Sequence, residues 1–192
     1  MKPIALLAAI LPLMAAAPAP PPGSVALETM LKLCVPFRSQ PIQALAAADA
    51  AGWAPASRKI VPPVPEEMTE GGYRFMSTRR AMTYLMAGYG PAPYDPEINL
   101  SFCATLSGPE DPKASLKLVE AWVGSAPYET DKEGARYYAF VFDADGQRRA
   151  VDIKGLLYDR AMREGRAGVL VFDTSADGVF LGLWTPAQTR AA

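Results

Sequence analysis

Histidine is absent from the 192 residues. That excludes Ser-His and Cys-His nucleophile pairs, imidazole metal sites and the His-Glu-x-x-His zinc signature. The chain also has no Gly-x-Ser-x-Gly elbow, no Ser-x-x-Lys, no phosphate-binding P-loop and no Gly-x-Gly-x-x-Gly, so the common nucleophile and nucleotide motifs are missing. An excess of one charge sign is lacking too: 19 basic residues face 20 acidic ones, for a net charge of −1. No basic field therefore argues for nucleic acid or an anionic membrane surface. Any catalysis must rest on carboxylates, tyrosine, lysine or arginine, and no cofactor is implied.

Cysteine is scarce, with only Cys34 and Cys103. Met1-Lys2-Pro3, the apolar run Ile4–Met14 and the small residues Ala15–Ala17 have the layout of a secretory signal peptide. The run is too short to span a bilayer. Cleavage is placed at Ala16–Ala17, because a proline after the scissile bond fits poorly. Export to the periplasm or the exterior puts both thiols in an oxidising compartment, where an even pair is bridged. A Cys34–Cys103 disulfide closing about 70 residues removes roughly 4 kcal/mol of unfolded-chain freedom. The alternative is two buried thiols; a nucleophilic cysteine has no histidine to activate it.

What is present is apolar in half its residues and charged in a fifth, ordinary for a domain with a proper core. Residues 1–16 are read as signal peptide, 17–23 as a proline-rich spacer, 24–186 as a single α+β domain and 187–192 as a frayed tail. No transmembrane segment is expected after cleavage.

Within the domain, Ser24 caps a helix over 25–35 with Leu27, Met30, Leu31 and Cys34 on one face. Ser39 caps a second over 40–51, stopped by Gly52, with Ile42, Leu45 and Ala46 as its packing face. Residues 54–72, including Val61-Pro62-Pro63-Val64-Pro65, read as an irregular loop. Tyr73–Met76 is a short strand. Arg79–Tyr89 is ambiguous, favouring a strand that pairs with a better one at Ile98–Leu106; Gly90–Glu97 is a loop. If the disulfide forms, the face of that strand carrying Cys103 is the one on which the first helix packs. Lys113–Val123 and Leu156–Glu164 are helices, each stopped by glycine.

Two hairpins follow from turn chemistry. Around Asp145-Gly146 a two-residue loop pairs Asp143 with Arg148 and Tyr137 with Lys154, and puts Tyr138, Phe140, Phe142, Val151 and Ile153 on one side. The second hairpin turns at Asp177-Gly178. Leu170, Phe172, Leu181 and Leu183 form one face, Val169, Val171, Phe180 and Trp184 the other. A pair apolar on both sides is central in its sheet or uses one face for contact. The predicted fold is thus an antiparallel sheet with two C-terminal hairpins, N-terminal helices packed on one face and tied by the disulfide.

Candidate sites are few. Asp143, Asp145, Asp173 and Asp177 sit at the hairpin tips, where a hard cation could bind, although Asp before Gly is also what a turn requires. Arg79-Arg80, Arg148-Arg149 and Arg160, Arg163 and Arg166 could dock an anionic partner. Asn99-Leu100-Ser101 is a glycosylation sequon within a strand. The functional expectation is a non-catalytic exported domain that binds another macromolecule or an envelope component. A small hydrolase using a carboxylate pair is the alternative.

Overall fold

The computed structural model describes residues 23–57, 68, 70–92, 95–175 and 178–187, with the side chains of 92, 95–97 and 175 outside that description. The expected signal peptide, the spacer before Gly23, the proline run Val61–Pro65, Asp177 and the tail beyond Ala187 lie outside the described residues. No helix among those described is long and apolar enough to cross a membrane.

Ser24 opens the first helix as its hydroxyl dictates, Oγ accepting the Leu27 amide at 3.2 Å in place of a missing intrahelical partner. Helix α1 (Val25–Thr29) runs on into a π-helical turn, Met30–Cys34, in which the Val35 amide donates to the Met30 carbonyl at 3.0 Å. Leu33 joins Leu27, Met30 and Cys34 in the core, with Leu31 half-buried against it. Helix α2 (Pro41–Ala50) starts with proline in its first turn and has no side-chain cap, so Ser39 does not serve as one. Its buried face is Pro41, Ala44, Leu45 and Ala48, while Ile42 is 43% exposed, against expectation. Alanines let the helix lie close to the sheet, and Leu45 rests over the side-chain-free Gly72.

Nine strands form one antiparallel sheet among the described residues. They are β1 (Ala54–Pro55), β2 (Glu70–Ser77), β3 (Met82–Ala92), β4 (Asp95–Gly108), β5 (Glu129–Thr130), β6 (Arg136–Phe142), β7 (Arg148–Ala150), β8 (Ala167–Ser175) and β9 (Gly178–Pro186). The order is β1-β2-β3-β4-β9-β8-β6-β5, with β7 also on β6. Helix α3 (Pro112–Val123) follows β4, and α4 (Leu156–Arg163) precedes β8.

Arg79–Tyr89 contributes to a strand rather than a helix, but Gly90–Glu97 is not all loop: β3 continues to Ala92 and β4 begins at Asp95. Pro91 lies past Tyr89, the last β3 residue paired with β2 among those described, opposite Glu70 where β2 begins. Beyond that point no described residue pairs with that edge of β3, where a residue without an amide donor is tolerated. The expected irregular segment 54–72 likewise yields strand at both ends, β1 and the start of β2.

The first hairpin departs most from expectation. Phe142 pairs with Arg148 and Val141 with Arg149, one residue out of the two-residue register. The loop has three residues, Ala144-Asp145-Gly146: the Gly146 amide donates to Asp143 O at 3.0 Å and Gly146 takes φ +75°. That is a type I turn closed by a left-handed glycine. The slip cancels the expected Asp143–Arg148 and Tyr137–Lys154 pairs. It leaves Tyr138, Phe140 and Phe142 in the helix-side core, while Val151 and Ile153 pack with α4 on the other face.

Two layers therefore cover the sheet unequally. On one face α1, the π turn, α2 and α3 bury Leu85, Cys103, Tyr138, Phe140, Leu170, Phe172, Leu181 and Leu183. Cys34 and Cys103 form a disulfide there with Cα atoms 5.4 Å apart, and Thr105 Oγ1 donates to Ala26 O at 3.1 Å. The Cys103 face is thus the one that receives the first helix. On the other face α4 is the one helix among the described residues, packing through Tyr158 and Ala161 against Ala139, Val141 and Ala167, while Met68 packs near Met86 and Phe102.

Candidate binding cleft

Trp184 organises the part of that second face which α4 leaves open. It stands on β9 between Phe102 of β4 and Val169 of β8, with its ring tilted 49° against Phe102 at 4.8 Å between centroids. Two positions earlier is Gly182, where a Cβ would come within 2.7 Å of the indole. A glycine in a central strand marks such close approach.

Between Trp184 and α4 lies a cleft of about 230 Å³. Leu100, Val169 and Val171 form its floor, Ile153, Tyr158 and Met162 its α4-side wall, and Tyr128 and Tyr137 its rim. The strand alternation explains the lining: Val169, Val171 and Trp184 are the second apolar face of the β8–β9 hairpin, whose first face is in the helix-side core.

Polar atoms at the border are engaged elsewhere. Tyr137 donates its hydroxyl to Asp131 Oδ2 at 3.1 Å; burial first, and then the Asp131 carboxylate, hold the phenol above its ordinary pKa. Thr185 turns its hydroxyl to Arg38 O at 2.5 Å. No Asp or Glu lines the cleft among the described residues. The acid with a clear shift, Asp49, is held below the usual carboxylate range by its hydrogen bonds from Arg74, on the α2–β2 side of the molecule.

The other candidates from the sequence are scattered. Asp143 Oδ1 accepts the amides of Asp145 at 3.1 Å and Gln147 at 2.9 Å, and Asp173 Oδ1 accepts that of Thr174 at 2.6 Å. Among the described residues no three His, Cys, Asp or Glu side chains gather to hold a metal ion. The arginines do not make one surface. Arg148 lies over the Trp122 ring at 4.1 Å and donates to its carbonyl. Arg166 holds Phe142 O at 2.9 Å and pairs with Glu164. Arg79, Arg80, Arg149, Arg160 and Arg163 are exposed. The disulfide lies on the opposite face of the sheet from the cleft.

Sequence reasoning found the two-sided hairpin but not the cleft. Its signal was the apolar second face of Val169, Val171 and Trp184; Leu100, Tyr128 and the α4 residues reach it only through tertiary contacts. Set against family models, curated proteins and solved structures, the chain matches none.

Proposed function

We propose that this chain is an exported, non-catalytic binding domain that takes an apolar segment of an envelope component into the cleft beside Trp184. The cleft itself carries the reading: a concave, nearly all-apolar site, walled by aromatic and aliphatic side chains and bordered by few polar groups, is the usual form of a ligand site. The Cys34–Cys103 disulfide is consistent with an oxidising, exported location.

Calorimetric titration of the full chain with 1-octanol tests this. Saturable binding of one molecule is expected. Val169→Phe, which fills the floor, is expected to weaken it by about tenfold with the fold retained. A native chain that takes up no octanol overturns the reading.

A further inference from the structure

A second cavity, of about 380 Å³, shares Ile153, Tyr158 and Met162 with the cleft and adds Ile98, Lys154, Asp159 and Arg163. The three shared residues line both, so the two cavities adjoin there, the second a charged mouth beside the apolar first. Asp159 is the one acid at that mouth among the described residues. The ion pairs among the described residues are Arg74–Asp49, Arg136–Glu120 and Arg166–Glu164, so neither Lys154 nor Arg163 is neutralised by a described carboxylate. Both are exposed, and among the described residues that line it the mouth carries two cations against one acid. Leu156, two residues beyond Lys154, is 85% exposed.

Resting on the cleft reading above, we infer that the ligand is a single-chain amphiphile with a carboxylate head: the chain lies between Trp184 and α4, and the head meets Lys154 and Arg163. An uncharged apolar ligand would make no use of the two cations, and a cationic head would be repelled by them. Charge complementarity selects the anion. A cavity of roughly 150 Å³ accepts benzene; on that scale 230 Å³ suits a medium-length chain.

Octanoate, 1-octanol and octyltrimethylammonium titrated into the full chain at low ionic strength separate head from tail. Octanoate is expected to bind about tenfold tighter than the alcohol, the ammonium more weakly than either. Raising the salt should shrink the difference, since exposed charges are screened. In Lys154→Ala/Arg163→Ala, two exposed replacements, octanol should bind as before while the octanoate preference disappears. Octanol binding with no preference for octanoate, or a preference that survives the double replacement, overturns this inference and leaves the cleft reading standing. Failure of all three probes overturns both.

Discussion

Glu110 Oε1 accepts the amide of Ala26 at 2.7 Å, across 84 positions of sequence. The same carboxylate takes hydroxyls from Ser24 and Ser115, each at 2.9 Å on Oε2. It therefore joins the start of α1 to the first turn of α3, supplying the negative group that helix N-termini attract. Glu110→Gln keeps the shape but loses the charge and one acceptor oxygen. A loss of about 1–2 kcal/mol in urea unfolding is expected, with Glu110→Ala worse.

Reducing the disulfide tests its share of stability. The bridge spans a sequence separation of 69, which the chain-entropy model converts to about 4 kcal/mol. Thermal melting with and without a thiol reductant should show a fall of many degrees. An unchanged midpoint would mean that the helix layer holds without it.

Arg148 and Trp122 offer a packing test. The guanidinium lies 4.1 Å from the ring centroid, and Trp122 stands edge-on to Phe140 at 5.8 Å. Arg148→Lys keeps the charge but not the planar stack. We expect it to cost about 1 kcal/mol, and a double-mutant cycle with Trp122→Leu should show coupling.

Two shifted groups contribute to the pH dependence of stability. The Asp49 carboxyl is depressed by its hydrogen bonds from Arg74, so the stability it confers is present above its unfolded pKa and lost as pH falls through the folded one. Asp49→Asn should flatten the acid limb of the stability curve. Tyr137 is raised, by burial first. Its neutral form is favoured in the fold, so stability holds below the unfolded pKa and declines as pH rises from there towards the folded value. Tyr137→Phe should soften the alkaline limb in melting curves.

Gly182 controls the cleft indirectly. Any Cβ there meets the Trp184 ring at 2.7 Å and Phe180 at 3.0 Å. Gly182→Ala should move the indole, seen as a shift in tryptophan emission, and weaken octanol binding by about tenfold without touching a ligand contact. Unchanged emission and affinity would show that Trp184 does not depend on this gap.

Much of the architecture was legible in local chemistry. Ser24 caps a helix because its oxygen fits a free amide, and Gly52, Gly124 and Gly165 end helices in the left-handed region. The β8–β9 alternation placed Leu170 with Leu183 and Val169 with Trp184. The first hairpin was misread because Asp-Gly suits both a two-residue and a three-residue loop. The choice was made by Asp143, whose side chain accepts two loop amides, and by the aromatic packing of Phe142 beneath Arg38.

By itself the sequence determined the antiparallel, histidine-free α+β framework and which two cysteines could pair, because caps, turns and alternation act over a few residues and two thiols have one intramolecular partner each. Only the tertiary structure decided the cleft. Its walls come from β4, β8, β9, α4 and the segments bearing Tyr128 and Ile153, and which of them meet depends on strand order and on α4 packing against the face that the other three helices leave free.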